Sequence, residues 1–136
     1  MIVSEGIKTG DRILHKVFPP ITRHTLALYC GASGDHNPVH VDIDVAKAAG
    51  FPDVFAHGML VMAYLGQTLA DVVPPEKLRS FATRFVAITQ LGAELTCEGT
   101  LAELFTEDGE RRARLALTTK DDRGEVKLEG SAVVAL

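Results

Sequence analysis

Alternation of apolar and polar positions dominates the second half of the chain. Phe81, Thr83, Phe85 and Ala87 alternate with polar or small neighbours. Leu95, Cys97, Gly99 and Leu101 alternate with Glu94, Thr96, Glu98 and Thr100. Ala113, Leu115 and Leu117 alternate with Arg112, Arg114 and Thr118, and Val126, Leu128, Ala132 and Val134 share a face opposite Lys127, Glu129 and Ser131. A period of two with one apolar face predicts antiparallel strands, packed on one side and solvated on the other. Asp108-Gly109 and Asp121-Asp122-Arg123-Gly124 supply the hairpin turns.

The first half has a different texture. Arg12 to Phe18 reads as a short strand stopped by Pro19-Pro20. Thr22 is an expected N-cap, because its hydroxyl can accept a free backbone N–H. Leu26, Tyr29, Cys30 and Ser33 follow at helical spacing, and Gly34 is the stop. Asp35 to Val41 is irregular, with Pro38 barring a regular helix through its middle. Asp44 is expected to cap a short helix from Val45 to Ala49, ended by Gly50. From Gly58 to Val73 the pattern is helical in length and apolar on nearly all sides, which predicts a buried helix. The fold class expected is α+β, a long central buried helix wrapped by a curved antiparallel sheet of about five strands.

Composition narrows the classes of function. The 136 residues predict a single domain over residues 1–136, and a chain this long typically buries ~68% of its unfolded surface. Hydrophobic residues make up 46% and charged residues 24%, which excludes intrinsic disorder. The formal net charge of −4 argues against nucleic acid as a partner and gives no pull toward anionic membranes. Cys30 and Cys97 stand far apart with no CxxC pair, so a structural zinc site is not expected. The start, Met1 to Gly6, lacks the features of an export signal, and the longest apolar run, Met59 to Leu65, is far below the ~20 residues of a membrane span. The expectation is a soluble, reduced, cytoplasmic protein.

The chemistry lies between the two predicted helices. Asp35 and His40 offer a carboxylate and an imidazole five residues apart on a segment kinked by Pro38. Such a pair can hold one water and pass a proton each way, with Asn37 orienting either group. The plainer reading is that Asp35 and Asn37 are loop residues forming Asx turns. The second constellation is His57-Gly58 at the start of the apolar helix. First-turn N–H groups lack internal partners and favour a polarised oxygen, and glycine admits close approach. Its plainer reading is a glycine that lets the helix start in a crowded place.

Other chemistries fail on spacing. Gly31-Ala32-Ser33-Gly34-Asp35 misses the G-x-S-x-G elbow, because Asp35 stands where the glycine belongs. A calcium loop begun at Asp35 would have His40 and Ala46 where its glycine and glutamate belong. His36 and His40 are separated by Pro38, so they do not share a helix face for a metal. No P-loop or G-x-G-x-x-G occurs. Cys30 is expected to pack as a small apolar residue, and Arg111, Arg112 and Arg114 to form a solvated strand face.

Asp35-x-Asn37-Pro38-x-His40-x-Asp42, followed by Ala56-His57-Gly58-Met59-Leu60, resembles the MaoC-like group of hot-dog-fold proteins. That group holds the R-specific enoyl-CoA hydratases and 3-hydroxyacyl-thioester dehydratases, and the likeness runs from about residue 10 to the end. It implies the hot-dog fold and reversible hydration of trans-2-enoyl thioesters, carried on CoA or acyl carrier protein. By match, Asp35 and His40 activate water, the Gly58 N–H binds the thioester carbonyl, and Asn37 and His57 support them. Many such hydratases carry a serine about two turns into the helix, where this chain has Gly66. The resemblance implies no metal and no cofactor, and a homodimer or a heterodimer with a paralogue. The competing readings are a hot-dog acyl-CoA thioesterase, a non-catalytic acyl-thioester-binding partner subunit and, third, a metal-binding protein.

Overall fold

The computed structural model describes residues 6–136; most of the stretch read above for an export signal, residues 1–5, lies outside the described residues. Five strands form one antiparallel sheet: β1 (Arg12–Val17), β2 (Leu78–Phe85), β3 (Thr96–Glu107), β4 (Glu110–Lys120) and β5 (Val126–Ala135). Their order is β1-β3-β4-β5-β2, so β1 and β2 are the edges. Three α-helices, α1 (Arg23–Ser33), α2 (Ile43–Ala48) and α3 (Gly58–Ala70), lie between β1 and β2 in the chain.

The alternation resolves as expected in β3 and β4, whereas in the edge strand β2 Phe81 and Thr83 are only part-buried, Phe85 is exposed and Ala87 lies beyond the strand. Ala113, Leu115 and Leu117 of β4 are buried, as are Cys97 and Leu101 of β3. These five residues close around Leu60, Val61, Leu65 and Leu69 of α3 in one core. Removing apolar surface from water is the main force holding helix to sheet, at about 25 cal/mol per Å². Glu107 pairs with Glu110 across the first hairpin, and Asp108 (φ 52°) and Gly109 (φ 77°) both adopt the left-handed conformation. That combination is a type I′ turn, whose twist matches the flanking strands.

The helix signals hold with two shifts. Thr22 caps α1 by accepting from the Thr25 N–H, and Gly34 ends it at φ 75°. The cap of α2 is Asp42 rather than Asp44: its carboxylate accepts from both Asp44 and Val45, so the helix begins two residues earlier than expected. Helix α3 ends at Ala70, not Val73, with Asp71 as its C-cap. Its apolar character is all-round, but the sheet covers only one side. Leu60, Val61, Leu65, Thr68 and Leu69 are buried, while Met59, Ala63, Gln67 and Ala70 are exposed on the single chain.

Lys127 departs from its expected solvated face. It is 2% exposed, because the stretch after β2 folds over the start of β5. Its ammonium donates to the Ile88 carbonyl at 2.8 Å and pairs with Glu125 and, at 3.3 Å, with Asp121. A charge taken this far from water needs such partners. The arginine face of β4 is also largely paired: Arg112 with Glu107 and Glu110, and Arg114 with Glu103. Among the described residues no helix is long and apolar enough to cross a membrane.

Candidate active site

The segment after α1 is built from side-chain caps. The Asp35 N–H donates to Ser33 Oγ at 3.1 Å, and the Asn37 N–H donates to Asp35 Oδ1 at 3.2 Å. Asn37 Oδ1 in turn accepts from the Val39 N–H at 3.1 Å and caps a single 3-10 turn, Pro38–His40. The Asx turns of the plainer reading are therefore present, and they shape the segment from Asp35 to His40. Asn37 acts on His40 through the backbone of that turn rather than by touching its ring.

His40 is buried against the strand-like stretch before α3. Its Nδ1 lies 2.8 Å from the Phe55 carbonyl, and its ring meets the Phe55 ring edge-on at 5.1 Å. A carbonyl only accepts, so Nδ1 carries the proton and Nε2 is the lone-pair nitrogen of the neutral ring. Ligand-type atoms of Asp35, His40 and His57 all lie within 4.8 Å of one another. Asp35 is exposed, whereas both imidazoles are buried.

His57 is the N-cap residue of α3 and supplies no side-chain cap, so it leaves the first-turn amides of the helix free of its ring. The ring lies flat on His40, with centroids 3.8 Å apart and planes inclined by 28°. Tyr29 meets it edge-on at 4.8 Å. Its Nε2 is 3.4 Å from the Asp35 carbonyl and 3.4 Å from Cys30 Sγ. Burial, then the proximity of His40, holds the imidazolium of His57 below the usual histidine range, against smaller opposing effects from Asp35. Burial and the Asp35 charge push the Tyr29 phenol up.

Gly58 opens α3 beside a cavity of about 270 Å³ whose walls include Phe55, Val61, Phe85, Ile88 and Leu128. The Phe85 ring covers Gly58 so closely that a Cβ there would meet two ring carbons at 3.0 Å. Two tethers fix this entry to the helix. The Ala56 N–H donates to the Thr89 carbonyl at 2.9 Å, and Arg23 holds the Asp53 carboxylate with two bonds of 2.9 and 2.7 Å.

The fold thus gathers Asp35, His40, His57 and Gly58, with Asn37 one turn away. His15, His24 and His36 are exposed and stand outside the cluster. Sequence reasoning missed the Cys30 thiol against His57 and the Tyr29 edge. Helical spacing had already placed both residues on α1, one turn before Gly34, so position was legible and contact was not. A metal fits poorly. Bound imidazoles must point their in-plane lone pairs at one ion, and two stacked rings point theirs side by side.

Comparison with known proteins agrees with this architecture. The MaoC like domain matches residues 7–122. The chain is 30% identical over 132 residues to an (R)-specific enoyl-CoA hydratase of Rhodospirillum rubrum, covering 96% of this chain and 88% of that protein. The unliganded R-hydratase PhaJ1 of Pseudomonas aeruginosa superposes with a TM-score of 0.81 at 29% identity, covering 95% of this chain and 82% of that one. An (R)-hydratase from A. caviae superposes with a TM-score of 0.83 over 98% of this chain and 99% of that one, at 22% identity, a likeness of fold. On the match of residues 7–122, on the hydratase relative and on the helix-in-sheet backbone they share, the chain belongs to the MaoC-like family of hot-dog-fold hydratases and dehydratases.

Proposed function

We propose that this protein reversibly adds water to a trans-2-enoyl thioester to give the R-3-hydroxyacyl thioester, with Asp35 and His40 as the acid–base pair. The observation that carries the reading is the spacing of the Asp35 carboxylate and the His40 imidazole, within 4.8 Å, with Nδ1 of His40 already bound to Phe55. One water can accept contact from both groups across that span. The pair takes a proton as the water oxygen bonds to C3, and returns that proton to C2. One C–O and one C–H bond form, and the C=C π bond is consumed. Because both atoms leave from one water, they add to the same face. Dehydration runs through the same groups in reverse.

Negative charge builds on the thioester oxygen as C3 is attacked. The Gly58 N–H, at a helix start with no side-chain cap, is the donor we assign to it. Losing such a donor typically costs ~3 kcal/mol of barrier. Asn37 and His57 support the pair, and no metal or cofactor enters the chemistry.

We also infer that two copies act together. The face of α3 with Met59, Ala63 and Gln67 is exposed, as are Phe85, Val86 and Ile88 beyond it, and β2 is an open sheet edge. Open edges with apolar neighbours favour pairing with another chain, and two-fold closure is the commonest arrangement. The direct test is loss of the enoyl absorbance of crotonyl-CoA on adding the protein. Release of free thiol instead would identify a thioesterase, and binding without turnover would identify a partner subunit.

A further inference from the structure

His57 takes no proton in the reaction proposed above, yet it contacts both residues that do, His40 through its ring and Asp35 through its backbone carbonyl. Its ring face lies against His40 at 3.8 Å, and its Nε2 is 3.4 Å from the backbone carbonyl of Asp35. The ring is 1% exposed. Since the Asp35 carbonyl can only accept, Nε2 carries the proton, and the lone pair falls on Nδ1. That Nδ1 is buried without a hydrogen-bond partner among the described residues. A buried acceptor left unpaired is unfavourable, so packing alone would be better served by an apolar ring of the same shape. What an apolar ring lacks is the Nε2–H.

We propose that His57 is a positioning residue that sets the spacing of the acid–base pair: its ring face fixes the plane of His40, and its Nε2–H holds the backbone that carries Asp35. This rests on the reading of Asp35 and His40 as the pair. One imidazole at the start of α3 therefore contacts both the backbone of Asp35, in the loop after α1, and the ring of His40, in the 3-10 turn. The neighbouring groups suit a neutral ring. His40 would repel a charge on it, Cys30 Sγ shares its Nε2 at 3.4 Å, and the Tyr29 ring stands edge-on. Only Asp35 favours the charge, and it faces the ring chiefly with its carbonyl.

Two substitutions separate the functions of the ring. His57→Phe keeps a stackable face and removes the donor; His57→Gln keeps an N–H and removes the face. Misplacing reacting groups by about 1 Å can cost about 10²-fold in rate. We expect kcat on crotonyl-CoA to fall about 10- to 100-fold in each folded variant, with KM within about twofold. Wild-type turnover with unchanged kcat in both variants overturns the proposal. Should neither variant fold, the ¹⁵N-histidine spectrum of the wild-type protein decides: it must show His57 as the neutral Nε2–H tautomer near pH 7. An imidazolium or an Nδ1–H tautomer overturns the proposal. If the wild-type protein does not turn over crotonyl-CoA, the proposed reaction fails instead, and the same spectrum still judges His57.

Discussion

The hydrogen bond from His40 Nδ1 to the Phe55 carbonyl, at 2.8 Å, decides which nitrogen of His40 is basic. Phe55 belongs to the stretch leading into α3, whereas His40 sits in the 3-10 turn after α1. The tautomer of the proposed base is thus set by how two separate segments dock. The arrangement supports a first prediction. Asp35→Asn and His40→Gln should each lower hydration of crotonyl-CoA by about 10²- to 10⁴-fold. The amide introduced by Asp35→Asn keeps an oxygen for the Asn37 N–H, so that variant should also melt close to the wild type. Near-wild-type turnover in either protein would remove that residue from the pair.

Stability should fall as the solution is acidified below about pH 6.5. His57 has its basicity depressed in the folded chain, chiefly by burial, from an ordinary value of 6.5. Below 6.5 the unfolded chain binds a proton that the folded chain refuses, so unfolding is favoured as pH drops through that window. Thermal midpoints at pH 7.5 and 5.5 measure the effect. The His57→Gln protein should show a smaller difference between the two pH values than the wild type; an equal difference would assign the acid sensitivity elsewhere.

Gly130→Ala should be among the most damaging single-methyl additions in the sheet. A Cβ on Gly130 would stand 2.2 Å from the Ala82 carbonyl oxygen on the paired strand β2. Backbone oxygen cannot swing aside as a side chain can, so β2 must shift away from β5. The expected cost is about 3 kcal/mol. Denaturant titration of the purified variant gives the number, and a change below 1 kcal/mol, roughly the lower end for overpacking, would contradict it.

Ala63→Glu should dissociate the proposed pair of chains and lower activity with it. Ala63 is exposed on α3, and glutamate is a good helix former, so the isolated fold should tolerate the change. Light scattering and turnover measured at one concentration test both halves. A fully active wild-type monomer would end the two-copy reading.

The parts of the structure legible in the sequence are those governed by short-range rules. Thr22, Gly34 and Asp108-Gly109 act on their immediate neighbours, and each does what its chemistry predicts. Period two places Ala113, Leu115 and Leu117 inward because pleating is local. Lys127 obeys the same alternation, yet it is buried because the stretch around Ile88, 39 positions away, folds over it, which no local pattern records. Asp42 and Asp44 are both chemically competent caps, and the choice turned on where the preceding 3-10 turn delivers the chain. At the candidate site, residue type and spacing singled out Asp35 and His40, and the fold brings their side chains within 4.8 Å of each other. The stack of His57 on His40 and the Cys30 contact required α1 and α3 to be placed in space.

The Phe85 ring has a further consequence. Phe85 ends the edge strand β2, remains half exposed, and covers the first residue of α3. A half-exposed aromatic side chain retains rotamer freedom, and ordering it against an arriving ligand costs conformational entropy at each encounter. A second strand laid along β2 would restrict the ring beforehand and shift that ordering from the moment of binding to the moment of assembly. What lies alongside the edge of the sheet would in this sense set how freely the ring over Gly58 moves.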